Sequence, residues 1–210
     1  MRTITIDYHV YTYTELSAEA RENVKRWILS DDFRNDELYE MLKEDLKVLF
    51  NADLDVEYSL SYCQGDGLNI YGSISAEDFL KCIDDNNAGE LSKRFKDYLT
   101  EKEKRTILAY QNICTDIELP KNNSYAYSLS DRIDVVDEWQ YQLEYAQYKN
   151  INIKTLEKFE KMVRDFFGEL CAEFEKVGYN YLYEIDDEEV EEICEANNYE
   201  FTIDGEFFAA

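Results

Sequence analysis

Between Asp53 and Ile74 the sequence reads DLDVEYSLSYCQGDGLNIYGSI, and this stretch decides the fold class. Its first half alternates apolar and polar residues from Leu54 and Val56 onward, which is the two-residue period of a half-buried strand. The turn residues of segment 64–67 follow, and the alternation resumes at Leu68. The stretch therefore predicts a β-hairpin.

Helical patterns lie on both sides of this hairpin. Ser17 and Ser75 are each a typical helix N-cap, followed by apolar residues three and four positions apart, and either Asp186 or Asp187 would cap a last helix. Amphipathic spacing predicts further helices at about 36–50, 90–99, 138–149, 153–177 and 186–196. Helices and hairpins in irregular order favour an α+β fold, an antiparallel sheet packed against several amphipathic helices, over a doubly wound parallel sheet.

Other segments have the composition of strands or turns. Gly178 is a natural end for the long helix, and Asp204-Gly205 is a natural turn. Period-two alternation or β-forming residues predict further strands at 3–13, 106–119 and 124–136, with a turn at 120–123 and a strand pair at 199–208.

A turn-rich break at Asp84–Gly89, with the sequence DDNNAG, is the candidate domain border. It would separate an N-terminal α+β portion, 1–83, from a C-terminal α+β portion, 90–210, which holds the long helix and the acidic end. A chain of 210 residues also suits a single domain, 1–210. The sequence leaves both arrangements open.

The composition indicates a folded, strongly acidic protein. It has 18 Tyr, 11 Phe and 2 Trp at a net charge of −25, more aromatic residues than a disordered acidic chain carries. No apolar run reaches membrane-spanning length, and residues 1–7 lack a signal-peptide core. Five widely spaced cysteines and one histidine suggest neither a disulfide framework nor a zinc site. We therefore expect a cytoplasmic protein with no membrane partner and no cofactor.

The negative charge is concentrated in two blocks. Residues 51–90 have nine acidic residues against one basic residue, and residues 177–210 have eleven acidic residues and no Lys or Arg. Residues 91–120, by contrast, have six basic and five acidic residues. Such an excess of negative charge argues against direct binding of nucleic acid and favours a basic protein partner.

Within the last block, carboxylates recur at helical spacing. On a helix, side chains three and four positions apart lie about 5–6 Å from one another on one side, and such a row resembles the charges of a phosphate backbone. The alternative is a solvated face that keeps the protein soluble. The row consists of Glu184, Glu188, Glu191, Glu192 and Glu195.

Motifs for catalysis or metal binding fit poorly. Residues 51–57 superficially resemble a calcium loop, but the sixth and twelfth positions hold Val56 and Tyr62 where the loop requires Gly and Glu. The acidic cluster at 186–189 could hold a divalent cation, yet tight sites usually draw ligands from several elements, so we interpret it as surface.

A nucleophile is equally weakly indicated. Cys63 could pair with His9 if their strands are neighbours, but a free cysteine is more commonly a small buried hydrophobic residue. The chain has no glycine-rich phosphate loop and no nucleophile elbow. We expect a protein that is not an enzyme, with a carboxylate-based hydrolase as an alternative.

Three segments resemble one group of proteins. They are YSLSYCQGDGLNIYG (58–72), YTELSAEAR (13–21) and ANNYEFTIDG (196–205). Each is similar to a segment of small acidic proteins encoded by bacterial viruses and other mobile elements. Residues 84–177 lie outside this resemblance.

The resemblance implies an inhibitor of host defence, most specifically an anti-CRISPR protein. Such a DNA mimic would occupy the basic channel of a CRISPR effector in the cytoplasm of the bacterial host. Its partner-binding residues would be Glu184, Asp187, Glu188, Glu191, Glu192 and Glu195, with Asp84 and Asp85 as a second patch. Tyr179, Tyr181 and Tyr183 would be either exposed anchors or strand residues in the core. The alternative function is that of an antitoxin or immunity-like protein that neutralises a basic cognate toxin.

Overall fold

The computed structural model describes residues 9–30, 33–121 and 133–209. These residues combine α-helices with an antiparallel sheet, which confirms the predicted α+β fold. The helices are α1 (Ala18–Leu29), α2 (Phe33–Phe50), α3 (Ala76–Asp84), α4 (Gly89–Phe95), α5 (Glu101–Gln111), α6 (Val136–Tyr145), α7 (Ile153–Tyr183) and α8 (Asp187–Asn197). The strands are β1 (Leu54–Ser59), β2 (Gly67–Ile74) and β3 (Ile117–Leu119), and a 3-10 turn covers Tyr13–Glu15.

The chain divides into two compact units. The first unit comprises Met1–Leu38 and Tyr179–Ala210, and the second unit comprises Tyr39–Gly178. The borders between them fall within α2 and α7. The turn at 84–89, which the sequence suggested as a domain border, lies inside the second unit.

The first unit is built on α1 and α8. The Ser17 hydroxyl accepts a 3.2 Å hydrogen bond from the Ala20 amide, and the Asp186 carboxylate accepts one of 2.8 Å from the Glu189 amide, so both predicted caps are confirmed. A small core forms between the helices, the 3-10 turn and the C-terminal segment. Its buried members are Tyr13, Leu16, Ala20, Val24, Ile28, Val190, Cys194 and Phe201.

Isolated bridges stand where the sequence predicted strands at the two ends. Tyr11 and Phe201 exchange backbone hydrogen bonds of 2.9 Å, and Phe201 also bridges to Phe207. A turn closes the second bridge at Gly205, whose φ is +81°. The predicted pair at 199–208 is therefore a turn with bridges, and most of the predicted strand at 3–13 lies outside the described residues.

The second unit contains the predicted hairpin, which is confirmed. Strands β1 and β2 pair antiparallel from Leu54 opposite Gly72 to Ser59 opposite Gly67, and β3 pairs antiparallel with the other side of β2. At the hairpin turn the Asp66 carboxylate accepts amide hydrogen bonds from Ser61 at 2.7 Å and Cys63 at 2.9 Å. An aspartate that satisfies turn amides in this way fixes the register of the hairpin.

Aromatic rings fill the core of the second unit. The Phe79 ring centroid lies 5.4 Å from that of Phe166 and 5.9 Å from that of Phe159, while Phe50 stacks on Phe167 at 5.3 Å. These side chains are at most 1% exposed. Helix α7 contributes three of them, so the predicted role of the long helix in a core is confirmed.

The strand predicted at 106–119 is largely wrong. Residues 101–111 form α5, and only Ile117–Leu119 is a strand. The helix begins with a capping box. The Thr100 hydroxyl accepts a hydrogen bond from the Glu103 amide, and the Glu103 carboxylate accepts one from the Thr100 amide. That local cap outweighs the β-forming residues that follow it. The strand predicted at 124–136 lies mostly outside the described residues, and α6 begins at Val136.

Helix α7 continues past its predicted end at Gly178 and includes Tyr179, Tyr181 and Tyr183. The interpretation of these tyrosines as strand residues is therefore wrong. Within the first unit, the Tyr181 hydroxyl donates a 2.7 Å hydrogen bond to Glu37, and its ring lies 4.5 Å from the Arg34 guanidinium carbon. No described helix is long and apolar enough to cross a membrane.

Candidate interaction site on the acidic helix

Helix α8 is held in place by its two ends and by one buried edge. Asp186 caps its start, and Asn198, with a φ of +53°, ends it by directing its amide toward the carbonyls of Cys194 and Glu195. Val190 and Cys194 are buried in the core of the first unit, at 0% and 3% exposure. Because these two residues fix the inward side, the opposite side of the helix faces solvent.

That outward side bears Glu188, Glu192 and Glu195, here called the outward carboxylates. All three are exposed, and helical geometry places them within an arc of about 60°. Among the described residues, none of the three forms an ion pair with Lys or Arg, although their neighbours Asp187 and Glu189 do. Glu191 is half-buried on the flank of the helix, and Glu184 is exposed in the segment that precedes it.

Asp187 has a different role from the outward carboxylates. Its Oδ1 lies 2.5 Å from Lys25 Nζ and accepts a 3.0 Å hydrogen bond from the Tyr13 hydroxyl. The bond from Lys25, followed by that from Tyr13, lowers the pKa of the Asp187 carboxyl. Burial, together with the same aspartate, raises the pKa of Tyr13. Asp187 therefore joins α8 to the N-terminal segment, although its side chain is 61% exposed.

A cavity of about 420 Å³ opens beside α8 within the first unit. Glu191, Glu195 and Glu200 line it together with Tyr13 and Tyr199. Acidic groups beside aromatic rings suit a Lys or Arg side chain, which gains both charge pairing and contact with a ring face. Glu191 and Glu195 thus border a concave site, which a simple row of surface charges would not provide.

The first unit concentrates the negative charge of the chain. Its 70 residues hold 19 acidic and five basic residues, a net charge of −14, whereas the 140 residues of the second unit have a net charge of −11. Two of the five basic residues, Lys25 and Arg34, pair with Asp187 and Glu189. Uncompensated charge of this density attracts basic surfaces and accelerates their association.

The predicted second patch, Asp84 and Asp85, lies in the second unit, and its two carboxylates have different surroundings. Asp84 Oδ1 is 2.5 Å from Lys104 Nζ, and the Lys104 side chain is only 9% exposed. Asp84 therefore neutralises a mostly buried lysine. Asp85 is the exposed C-cap of α3. Of this pair, only Asp85 has a carboxylate that the described structure leaves without an ion pair.

The candidate nucleophile Cys63 is exposed, contrary to the expectation of a buried residue. Its thiol lies 3.1 Å from Asp66 Oδ1 and 3.2 Å from Ser61 Oγ, at the turn of the hairpin. These contacts belong to the turn network and contain no histidine. Within the described residues, no group of three or more His, Cys, Asp or Glu side chains is arranged to hold a metal ion.

Sequence patterns identified the carboxylates of α8 but missed their surroundings. Tyr13, Lys25 and Glu200 reach the helix only through the tertiary fold, since Tyr13 and Asp187 are 174 positions apart. No local spacing signals such a contact.

Comparisons with protein-family models, curated proteins and solved structures gave no match.

Proposed function

We propose that this protein is an inhibitor that binds a basic, nucleic-acid-binding surface of another protein through α8. The three outward carboxylates, exposed and without ion pairs among the described residues, are the observation that supports this proposal. The most specific form of the proposal is an anti-CRISPR protein acting on a CRISPR effector in the bacterial cytoplasm by mimicry of nucleic acid.

The geometry of the helix suits such mimicry. Residues four positions apart rise about 6 Å along a helix, so Glu188 and Glu192 present charges at regular, short intervals on a rigid support. A groove that binds nucleic acid places Lys and Arg side chains to meet closely spaced phosphates. The buried edge at Val190 and Cys194 keeps α8 from rotating, so little ordering is needed when a partner binds.

The cavity adds shape to this surface. A basic side chain that entered it would meet Glu191, Glu195 and Glu200 beside the ring of Tyr199. Basic residues that normally contact phosphates would then be engaged both along the helix and at its side. An antitoxin with a basic cognate toxin would use the same surface, so the identity of the partner decides between the two functions.

The test is a pull-down of tagged protein from bacterial cells that express candidate CRISPR effectors. The test variant is Glu188→Gln, Glu192→Gln and Glu195→Gln together. A matched control changes Glu44, Glu118 and Glu157 to Gln; these residues are exposed acids of the second unit and leave the same net charge. We expect the native protein and the control to capture an effector and the test variant to lose it.

Other outcomes would redirect or end the proposal. Capture that survives in the test variant would contradict a binding site on α8. Capture of a basic toxin encoded beside the gene, with no effector bound, would replace the anti-CRISPR function with that of an antitoxin. Loss of capture in both variants would show that net charge alone is responsible, with no role for a defined face.

A further inference from the structure

Helix α6 in the second unit presents two tyrosines to solvent. Tyr141 is 71% exposed and Tyr145 is 83% exposed, far more than the other face of the same helix, where Trp139 and Leu143 are buried at 1% and 0%. The buried pair fixes the rotation of the helix, so the tyrosines have no inward position to adopt. Large apolar rings exposed in this way commonly mark a binding surface.

The two rings form a stacked pair. Their centroids are 6.5 Å apart and their planes differ by 25°. A spacing of four residues brings them together on the helix. The pair therefore offers one continuous aromatic surface instead of two separate side chains.

Carboxylates surround this aromatic surface. Asp137, Glu138 and Glu144 are exposed, and helical geometry places them on the same outward arc as the tyrosines. The helix has no basic residue. Glu138 accepts hydrogen bonds from the neutral Thr115 and Gln142 side chains, and Glu144 accepts one from Gln140, so their charges are not cancelled by these contacts.

We propose that this tyrosine face, residues 137, 138, 141, 144 and 145, binds an arginine-bearing segment of a basic protein. A guanidinium group can stack flat on a tyrosine ring while its N–H groups donate to a neighbouring carboxylate. The lysine ammonium is a compact and strongly hydrated charge that gains less from a ring face. Carboxylates beside stacked rings therefore favour arginine over lysine and over an apolar partner.

This surface is separate from the acidic helix and does not depend on it. Glu188 and Glu192 of α8 do not line the cavity beside that helix and would attract arginine and lysine about equally, whereas the tyrosine face distinguishes them. A ring pair at this spacing could instead serve only to stabilise α6, which predicts lower stability without any change in binding when the rings are removed.

The test measures fluorescence anisotropy of two labelled peptides, nona-arginine and nona-lysine, with the full-length protein. We expect the arginine peptide to bind at least about fivefold more tightly, as two ring contacts at an exposed site would produce. Changing Tyr141 and Tyr145 together to Phe preserves the rings and should keep this preference. Changing both to Ala or both to Leu should abolish it, with helix content checked by circular dichroism.

The Leu variant keeps apolar, helix-forming side chains, so it remains informative if the Ala variant loses structure. Equal affinity for the two peptides in the native protein would overturn the proposal, as would an arginine preference that survives in the Leu variant. Changing Glu188 and Glu192, which do not line the cavity beside α8, to Gln should weaken both peptides and leave their ratio unchanged. If α8 has no role in binding, the Gln changes leave both affinities unchanged; if the tyrosine face has none, the arginine preference is absent. The two proposals therefore fail in different ways.

Discussion

The hydroxyl of Tyr13 donates a 3.0 Å hydrogen bond to the carboxylate of Asp187, which also lies 2.5 Å from Lys25 Nζ. One carboxylate at the start of α8 thus holds both the N-terminal 3-10 turn and α1. Together with the buried Val190 and Cys194, this arrangement holds the helix that bears the outward carboxylates.

Changing Asp187 to Asn should lower the melting temperature, because Lys25 loses its closest counter-charge and Tyr13 loses a charged acceptor. Glu188→Gln is the matched control, since it removes a first-turn charge without touching either contact. Thermal unfolding followed by circular dichroism measures the difference. Equal melting temperatures for the two variants would contradict the role assigned to Asp187.

The stability difference between the native protein and Asp187→Asn should decrease as the pH falls. Because folding lowers the pKa of Asp187, its contribution is present above the usual aspartate pKa and is lost as the pH falls through the lower, folded-state value. The difference between the native protein and Asp187→Asn should therefore be largest near neutral pH and should shrink below about pH 4. A difference that grows on acidification would contradict this assignment.

Two glycines should respond to alanine in opposite ways. At Gly205, with a φ of +81°, an added Cβ would lie 2.2 Å from the Ala20 carbonyl oxygen, so Gly205→Ala should destabilise by about 2 kcal/mol or more. Gly168 lies in α7, where an added Cβ would have no described atom within 4 Å apart from its chain neighbours and the nearby backbone of the same helix, and Gly168→Ala should stabilise by about 1 kcal/mol. Urea denaturation measures both. A neutral Gly205→Ala would contradict the turn geometry.

Asp84 and Asp85, at the end of α3, should contribute differently to the free energy of unfolding. Asp84→Asn leaves the mostly buried Lys104 without its nearest counter-charge, so we expect a loss of about 1–2 kcal/mol, reduced from a fully buried pair because Asp84 is itself 43% exposed. Asp85→Asn should change stability by less than about 0.5 kcal/mol. Chemical denaturation of both variants checks this, and equal losses would refute the distinction.

The cysteines should differ sharply in reactivity. Cys63 is exposed, whereas burial raises the pKa of Cys171 to about 12 and that of Cys82, Cys114 and Cys194 to about 11. Treating the native protein with iodoacetamide should modify Cys63 first and the other four only after unfolding. Peptide mass spectrometry identifies the modified residue. Early modification of Cys194 would show that the core of the first unit opens readily.

Local signals made much of the fold predictable. A helix cap acts within three residues, so the start of a helix can be predicted from Ser17, Ser75 or Asp186. The turn residues around Asp66 predict the hairpin in the same way. The same logic explains α5, where the capping box of Thr100 and Glu103 favours a helix and the β-forming residues further along favour a strand that the structure does not contain there.

Tertiary contacts account for the other differences. Gly178 did not end α7, and within the first unit the helix continues through Tyr181, which contacts Arg34 and Glu37. Periodicity could place Glu188, Glu192 and Glu195 on one side of α8. It could not predict the ion pair between Asp187 and Lys25, because residues so far apart in sequence meet only in the folded chain.

The most direct measurement is displacement of nucleic acid from the captured partner. Labelled nucleic acid bound to that partner is titrated with the native protein and with the variant in which Glu188, Glu192 and Glu195 are Gln, and anisotropy reports the bound fraction. We expect the native protein to displace the nucleic acid and the variant to need about tenfold more, since three exposed charge pairs contribute roughly 1–2 kcal/mol together. A partner that holds the protein and the nucleic acid at once, or a variant that displaces equally well, would contradict mimicry by α8.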